Sequence, residues 1–427
     1  GYGHTRRELL EQDPDLYGFI ESLSEKEYAI DCEVQAVARK VQLVRGEGAE
    51  EKALKIYEEA SAEYGRRPEL MDAMASFYLA NKAYVKAKAM HEQMMKDFPD
   101  DAAGYIGLAG DYFSVERDEA RAIQLLEDSA RKLPDAVELF QKLGEIYYFA
   151  GDIDRMEKSL RQALSIDPYP DPYAPNPYFY LAKGSIEKED YAQAEKLLNL
   201  SIKELAMDNP QLRAELALAL LQTGREKEGE EHLDQALRSA RWLPRSSEVK
   251  ALYLERQGKK KEARDMLEKA VKNFPAKIEA KVMLAQLIME SEPDNTKKLL
   301  DDGLSIAAKK ELIDAGMQMG FMEGKISESR LYTAYGELLE KSGEIAQAIE
   351  HHQRAWDIFK YNYASAVSLV KLYKQTGRDE EANKAYEKLK SLNPPEKYLK
   401  QCEELLKEEK KQQVYLIKVT HYSIRSR

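Results

Sequence analysis

The chain has 427 residues, too many for one ordinary helical core, so it must either divide into domains or grow by repetition. Its 65 Lys and Arg residues against 76 Asp and Glu residues give a net charge of −11, spread along the chain, which argues against nucleic acid as a partner. The two cysteines, Cys32 and Cys402, exclude a disulfide framework, and no run approaches the roughly 20 apolar residues of a membrane-spanning helix.

The first 33 residues are predicted to form N-terminal capping helices, in the stretches from Arg7 to Leu10 and from Asp15 to Leu23. No apolar signal segment follows Gly1, so we expect a cytoplasmic protein. A periplasmic or membrane-anchored location stays open if residues precede Gly1.

Residues 34–394 contain a repeat of about 34 residues. Its clearest unit begins at Val137 and reads Phe140-x2-Leu143-Gly144-x2-Tyr147, followed by Gly151, Met156, Leu160, Ala163 and Pro168. The same register gives units that start at Val34, Pro68, Ala103, Val137, Pro175, Pro210, Pro244, Ile278, Ser329 and Tyr363. Seven of the nine steps between these starts are 34 or 35 residues, which chance does not produce.

Each unit is predicted to hold two helices that pack closely. A small residue such as Gly144 recurs in the middle of the first helix, where the second helix must approach. Glycines are expected to end the first helix in a left-handed conformation at Gly48, Gly151, Gly224, Gly258, Gly343 and Gly377. Prolines such as Pro168 then stop the second helix, because proline lacks the amide hydrogen.

This pattern resembles the tetratricopeptide repeat family, with Phe140 standing where the family usually has Trp. The resemblance implies an all-α, right-handed solenoid of about ten helix pairs with capping helices at both ends. It also implies that the first helices line a concave groove that binds a partner protein or peptide.

Two steps depart from the regular spacing. One contains a Pro- and Tyr-rich stretch between Asp167 and Pro177, predicted to form a stiff, extended loop. The other, in a degenerate unit, contains a helix start at Pro293 and an extra helical stretch from Leu312 to Met322. This irregular segment, residues 290–328, is either a defect in the stack or a functional insertion.

The C-terminal part of the chain changes character twice. Residues 395–413 are charged and amphipathic and are predicted to form a capping helix. Residues 414–427 have strand-like composition and are expected to form a strand or a disordered tail.

With the register fixed, the groove-facing positions lie one, four, eight and eleven residues after each unit start. The peptide-binding residues selected from them are Asp111, Gln141, Glu145, Tyr148, Phe179, Lys183, Leu218, Leu221, Glu248, Glu255, Gln286, Lys371 and Lys374. Acidic residues at one end and apolar residues in the middle predict an apolar partner segment with a basic end. Capture of a chaperone's C-terminal carboxylate, known in one family subtype, is disfavoured because the matching positions offer Asp111, Glu145 and Leu218 instead of basic residues.

No motif for catalysis, a metal or a cofactor is found. His91 and His352 occupy the large inward position of a second helix, where we expect them to fill core space. His351 and His352 lack the i, i+4 spacing of two metal ligands on one helix face. The sequence therefore predicts a non-enzymatic interaction scaffold without cofactors. The alternatives are a peptide-responsive regulatory receptor of the same fold, or an accessory subunit of a bacterial envelope or polysaccharide-export assembly.

Overall fold

The computed structural model describes residues 32–168, 176–204, 208–239, 244–308 and 324–407. Within these ranges the chain is α-helical and contains no β-strand, which confirms the predicted all-α solenoid class. The chain divides into two compact units, Gly1–Leu139 (unit 1) and Phe140–Arg427 (unit 2). Four of the predicted features lie mostly or wholly outside the described residues. They are the N-terminal capping helices, the Pro- and Tyr-rich loop, the extra helical stretch at 312–322 and the tail at 414–427.

Unit 1 consists of antiparallel helix pairs in chain order. Its helices are α1 (32–43), α2 (Ala49–Tyr64), α3 (Pro68–Ala80), α4 (Tyr84–Asp97), α5 (Ala102–Ser114) and α6 (Glu119–Lys132). The next helix, α7 (Val137–Phe149), begins just before the boundary and lies mostly in unit 2. The core of unit 1 is built around Leu70, Met74 and Phe77 of α3.

Unit 2 continues the same alternation of helices. After α7 come α8 (Ile153–Ile166), α9 (Pro177–Glu187), α10 (Tyr191–Asn199), α11 (Pro210–Gln222), α12 (Glu226–Ser239), α13 (Pro244–Arg256), α14 (Lys260–Asn273), α15 (Ile278–Ile288), α16 (Pro293–Ala308), α17 (Lys325–Lys341), α18 (Ile345–Ile358), α19 (Tyr363–Gln375), α20 (Asp379–Ser391) and α21 (396–407). The odd-numbered helices from α7 to α19 are the first helices of their pairs. The helix start predicted at Pro293 is confirmed.

The helix starts follow from local capping chemistry. Asp118, Asp152 and Asp190 precede second helices, and each carboxylate accepts a hydrogen bond from a backbone N–H in the first turn. Asn176 and Asn209 cap α9 and α11 in the same way, and a proline follows each of them at the first helical position.

The turn between the two helices of a pair requires a left-handed residue. The predicted conformation is confirmed at Gly151 and Gly258, where φ is 75° and 73°. Units without glycine at this turn place Lys82, Arg117 or Glu189 there, with φ between 57° and 60°. These three residues adopt a backbone conformation that costs roughly 1–2 kcal/mol for a residue with a Cβ atom.

Glycines within helices allow close packing of helices. A Cβ atom at Gly144 would lie 2.3 Å from Cδ2 of Leu160, so α7 and α8 can approach each other only with glycine there. At Gly336 the same atom would lie 2.6 Å from Nε2 of His352. The sequence-based expectation that His352 fills core space is confirmed, since the residue is fully buried.

Candidate binding cavity

Unit 2 closes on itself through hydrogen bonds between residues more than 200 positions apart. Asp154, in the first turn of α8, accepts hydrogen bonds of 2.5 Å from the Lys360 ammonium and from the Tyr361 hydroxyl. Lys188 adds an ion pair to Asp154 at 3.2 Å. Partial burial opposes the charge on Asp154, but the hydrogen bonds from these three donors outweigh it and lower the pKa of its carboxyl group to about 2.

A second closing contact is formed by Glu189, the left-handed residue between α9 and α10. It accepts a hydrogen bond from the Tyr398 hydroxyl and forms an ion pair with Lys397 at 2.6 Å. The Tyr398 ring contacts that of Tyr363, with 5.3 Å between their centroids. The C-terminal helix α21 is thereby attached to the turn between α9 and α10.

Close backbone approach accompanies the closure. A Cβ atom at Gly324, immediately before α17, would lie 2.5 Å from the carbonyl oxygen of Phe149 at the end of α7. A Cβ atom at Gly151 would lie 3.5 Å from Cδ2 of Phe359, so this turn is also close to the segment after α18. The first helix pair of unit 2 therefore meets the start of α17 and the segment between α18 and α19, and the first helices enclose an interior.

The interior contains a cavity of about 560 Å³, within the roughly 300–1,000 Å³ usual for ligand sites. Apolar side chains such as Leu218, Leu252 and Val282 form part of its wall. The charged residues among the described part of its lining are Glu187, Glu189, Glu248, Glu255, Glu279, Glu337, Arg245 and Arg330. Six carboxylates thus accompany two guanidinium groups.

The charged side chains around the cavity form a hydrogen-bonded network, and Arg245 is the centre of its first part. Its guanidinium donates two hydrogen bonds of 2.9 Å to the two carboxylate oxygens of Glu215, which is almost fully buried. A further bond of 3.4 Å reaches Glu248. Two parallel bonds of this kind fix the orientation of both planar groups.

Arg330 is the centre of the second part of this network. It donates hydrogen bonds of 2.9 Å to Glu279 and 2.6 Å to Glu187, and the latter residue is 143 positions away in the sequence. The arginine of α17 therefore connects α9 with α15 across the interior.

Two carboxyl groups of the network have lowered pKa values despite burial. Burial opposes the charge of Glu215, but Arg245 and Lys183 outweigh it and lower the pKa of the Glu215 carboxyl group. The same balance lowers the pKa of Glu279, where Arg330 and Arg245 supply the positive charge. Glu337 differs, because desolvation dominates and raises the pKa of its carboxyl group.

A smaller cavity of about 60 Å³ shares five charged lining residues with the larger one, including Arg245 and Arg330. Tyr148, Phe149, Lys183 and Lys277 also line it. The Lys183 ammonium lies 4.6 Å from the centroid of the Tyr148 ring and 5.3 Å from that of Phe179. Burial raises the pKa of the Tyr148 hydroxyl well above its usual value.

The structure places some of the predicted groove residues on these two cavities. The predicted residues that line one or the other are Tyr148, Lys183, Leu218, Glu248, Glu255 and Gln286. Of these, Glu255 and Gln286 are exposed, and the Gln286 amide donates a hydrogen bond to Glu337.

Other predicted residues of unit 2 have different contacts. Glu145 pairs with Lys142 at 2.7 Å and accepts a hydrogen bond from the Tyr180 hydroxyl. Leu221 packs against Gly229 of α12. Gln141 is buried, and the Phe179 ring contacts the Lys183 ammonium. Lys371 forms an ion pair with Glu340, and Lys374 forms one with Asp379.

Asp111 is the one predicted groove residue in unit 1. Its carboxylate lies 2.7 Å from Nδ1 of His91, and both side chains are buried. His91 fills the space above Gly107, as expected from its place in the repeat.

Two buried carboxylates of the network, Glu187 and Glu215, lie outside the four offsets used to select groove residues. A signal for Glu215 is present in the sequence, since it is the one acidic residue in the apolar helix α11. A lone acid in such a helix indicates a buried charge with a partner. Glu187 carries no comparable signal, because its partner Arg330 is brought near only by closure.

Two family models match parts of the chain. The tetratricopeptide repeat-like domain family matches residues 115–290, and a tetratricopeptide repeat family matches residues 363–396. No curated protein that was compared matches the chain.

Several solved structures are similar to this chain at low sequence identity. The human IFIT1 dimer with m7Gppp-AAAA is 16% identical with a TM-score of 0.51, over 84% of this chain and 95% of that one. A thermophilic TPR protein of Thermus thermophilus is 24% identical with a TM-score of 0.35, over 44% of this chain and 99% of that one. PilF of Pseudomonas aeruginosa is 16% identical with a TM-score of 0.42, over 51% and 97%.

The fold and the matched repeats define an all-α helical-repeat protein. More specifically, tetratricopeptide repeats are recognised at residues 115–290 and 363–396, which confirms the resemblance seen in the sequence. Proteins of this fold generally act as scaffolds for protein interactions.

The described ranges also bear on metal binding and on membrane insertion. No group of three His, Cys, Asp or Glu side chains in these ranges could hold a metal ion. None of the described helices has both the length and the apolar composition needed to cross a membrane.

Proposed function

We propose that the chain is a non-enzymatic interaction protein and that unit 2 holds a segment of a partner protein in its interior. The observation that carries this proposal is the 560 Å³ cavity lined by first helices, the helices that line the binding groove in this family. Its volume suits a few residues of an extended chain rather than a folded surface.

The charges of the cavity favour a segment with basic side chains. Arg245 and Arg330 are already bound to carboxylates of the wall. Six acidic residues and two basic ones line the described part of the cavity, and the pairing of Glu189 with Lys397 reduces the excess to three negative charges. Complementary charge in the partner raises the association rate and disfavours acidic competitors.

Apolar contacts provide the rest of the proposed recognition. Leu218, Leu252 and Val282 lie between the charged residues of the wall. A partner segment that combines apolar and basic residues would therefore match the cavity, in agreement with the partner expected from the sequence.

The test is peptide binding to the full chain, measured by fluorescence anisotropy. The probes are fluorescein-labelled peptides of alternating Leu and Lys and the same peptides with Glu in place of Lys. We expect the Lys peptides to bind and the Glu peptides not to bind. The double change Glu255→Gln and Glu337→Gln should weaken binding of the Lys peptides by about tenfold or more, on the scale of one or two lost charge contacts.

The matched control neutralises two exposed carboxylates of second helices, Glu231→Gln and Glu262→Gln, which do not line the cavity. This variant has the same net charge as the cavity variant. Its affinity should stay near wild type, because the cavity lining is unchanged. Equal losses in the two variants would mean that only the overall charge attracts the peptide, and the proposed site would be wrong.

A second candidate function is a peptide-responsive receptor, favoured by the polar closing contacts of unit 2. An occupant of the cavity would lie next to these contacts, because Glu189, Tyr361 and Tyr398 belong to the cavity lining. Hydrogen exchange with and without the Lys peptide distinguishes the two functions. A scaffold gains protection only in the helices that line the cavity, whereas a receptor also changes exchange at the closing contacts.

A further inference from the structure

A carboxylate oxygen in the interior of unit 2 has no hydrogen-bond donor among the described atoms. It is Oε2 of Glu279, in the first turn of α15, and it is buried, whereas the other oxygen of this carboxylate accepts from Arg330. Burial opposes the charge of Glu279, but Arg330 and Arg245 outweigh it and lower the pKa of the carboxyl group. The carboxylate is therefore ionised, and leaving one of its oxygens without a donor is costly.

Glu279 lies where the two cavities of unit 2 adjoin, because it belongs to the lining of both. A group that enters the smaller cavity from the larger one therefore comes close to this carboxylate. The chemistry around the smaller cavity then decides which donor it accepts.

The charges around the smaller cavity are balanced, which favours an uncharged occupant. The described part of its lining has four basic side chains and three carboxylates. Glu215, bound by Arg245 through two hydrogen bonds, supplies a fourth carboxylate. An added carboxylate would face Oε2 of Glu279, and an added ammonium would face the four basic groups, so either charge would meet repulsion. The donor that suits Glu279 is therefore an uncharged N–H or O–H group.

The smaller cavity also offers hydrogen-bond donors. The Lys183 ammonium donates no hydrogen bond to a described residue, although Glu215 and Glu187 act on its charge. Ser327, in the first turn of α17, is a further donor of the lining. The N-cap residue Gly324 has no side chain to accept from the N–H groups of that turn. The occupant should therefore carry an acceptor as well as an uncharged donor.

The volume of the smaller cavity selects among groups that carry both. About 60 Å³ corresponds to roughly two water molecules. A hydroxyl group would fill only about half of this space, and a peptide backbone would not fit into it. A primary carboxamide, the terminal group of Asn and Gln, supplies an uncharged N–H donor and a carbonyl acceptor within this size.

We propose that the smaller cavity is a carboxamide subsite, in which an Asn or Gln side chain of the partner segment donates a hydrogen bond to Oε2 of Glu279 and accepts one from Lys183. This inference rests on the proposed function, because the basic side chains of the same segment would occupy the larger cavity.

The positions of the carboxylates set the spacing within that segment. Glu279 is in the first turn of α15, whereas Glu255 and Glu337 lie near the C-terminal ends of α13 and α17. About ten helical residues separate the two levels, which corresponds to about 15 Å. An extended segment covers this distance with about four or five residues. We therefore expect the carboxamide and the basic side chain to be that far apart in the sequence of the partner.

The first arm of the test probes the subsite without any peptide. Saturation-transfer NMR of the full chain is recorded with propionamide and, separately, with propionate. The wild type should give a signal with propionamide and none with propionate. Glu279→Gln should reverse this preference, because the new side chain can direct its carbonyl oxygen to Arg330 and its NH₂ group to the cavity, where it requires an acceptor. Lys183→Met should weaken the propionamide signal without making propionate bind.

The matched control for this arm is Glu292→Gln. Glu292 also accepts hydrogen bonds from an arginine, Arg264, but it lines neither cavity. This variant has the same net charge as Glu279→Gln and should keep the preference of the wild type. A reversal in Glu292→Gln as well would show that net charge alone selects the probe, and it would overturn the subsite. Circular dichroism checks that each variant remains helical.

The second arm compares capped peptides that differ at one residue. Each carries a Lys-Leu-Lys block, a spacer of about three to five Ser residues and a test residue, in both orders. The test residue is Gln, Glu or Met, and Met resembles Gln in size but forms no comparable hydrogen bonds. In the order and spacing that bind best, the Gln peptide should bind about tenfold more tightly than the Met peptide. In Glu279→Gln the Glu peptide should gain about tenfold relative to the Gln peptide.

The outcomes separate the inference from the proposed function. A propionamide signal that depends on Glu279, together with Gln-selective peptide binding, supports both. The same signal without any peptide binding supports the subsite and contradicts the peptide function. Peptide binding without a preference for Gln, and without a propionamide signal, overturns the subsite and leaves the peptide function standing. A wild type that binds propionate as well as propionamide also overturns the subsite, and no binding of any probe overturns both.

Discussion

Unit 1 and unit 2 are built from the same helix pairs but differ in the range of their polar contacts. In unit 1, Arg66 pairs with Asp97 and Lys86 with Glu50, across 31 and 36 positions, which is about one repeat. In unit 2, the bonds of Arg330 to Glu187 and of Lys360 to Asp154 span 143 and 206 positions. Unit 1 follows the rule that each repeat contacts its neighbours, and unit 2 departs from it.

The difference shows what closure adds to a repeat protein. In unit 1, His91 and Asp111 form a local pair between adjacent helix pairs. In unit 2 the enclosed first helices place carboxylates and guanidinium groups around a shared interior, where each depends on partners from distant repeats. A cavity arises there from the same kind of helix pair.

Breaking the interior network should give the largest effect. Arg245→Ala leaves Glu215 and Glu248 buried without their guanidinium, and removal of one partner of a buried pair typically costs about 3–5 kcal/mol. We expect unit 2 to lose this much stability. Hydrogen exchange in increasing urea should show faster exchange in α11 and α13 and unchanged exchange in α3 of unit 1.

Arg264 supplies the control for this prediction. It also contacts two carboxylates, Glu268 and Glu292, but on the outer surface of unit 2, where such pairs contribute about 1 kcal/mol or less. If Arg264→Ala destabilised unit 2 as strongly as Arg245→Ala, enclosure would not explain the importance of the network.

A second prediction tests the packing of unit 1 with two glycines of α5. A Cβ atom at Gly107 would lie 2.4 Å from the His91 ring, so Gly107→Ala should cost about 1–3 kcal/mol. Nothing lies within 4 Å of such an atom at Gly110, so Gly110→Ala should stabilise the helix by up to about 1 kcal/mol. Urea denaturation followed by circular dichroism measures both, and changes of the same sign would contradict this account of the packing.

The repeat fold was predictable because its signals are local. Gly144 and Gly151 mark a helix contact and a turn within one unit, and the chain repeats them at nearly constant spacing. The family and the all-α solenoid class follow from these signals, and both are confirmed.

The site was only partly predictable, because its geometry depends on closure. The repeat register identified Lys183, Glu248 and Glu255 as inward positions, and they line the cavities. It could not show that Glu187 meets Arg330, since that contact depends on the accumulated curvature of several repeats. The role of the predicted residues in binding stays a prediction.

A third prediction exchanges the turn residues of the two units. Lys82 in unit 1 adopts φ of 60°, so Lys82→Gly should stabilise the chain by up to about 1 kcal/mol. Gly258 in unit 2 adopts φ of 73°, so Gly258→Ala should destabilise it by a similar amount. The urea midpoints of the two variants and of the wild type, measured on the full chain, test this prediction. A loss of stability in Lys82→Gly would show that side-chain contacts at this turn outweigh backbone strain.

The smallest expected effect concerns the closing contact, and it carries a distinct pH dependence. Asp154 is half exposed, so Asp154→Asn should lower stability only slightly, on the scale of about 1 kcal/mol or less for exposed pairs. Its folded pKa of about 2 lies below the ordinary value of 3.8, so the carboxylate stabilises the folded chain at pH values above about 4. This contribution should decrease as the pH falls from 4 to 2 and be absent below 2.

Fluorescence of Trp356 can report this dependence, because its indole N–H donates to the carbonyl oxygen of Lys360 beside the closing contact. The urea midpoints of wild type and Asp154→Asn should differ at pH 7 and converge as the pH approaches 2. Glu380→Gln, which removes an exposed pair with Lys384 away from the contact, should show no shift of this kind through the same pH range. A difference between wild type and Asp154→Asn that persisted at pH 2 would mean that the amide disturbs the turn itself, and that closure does not depend on the charge of Asp154.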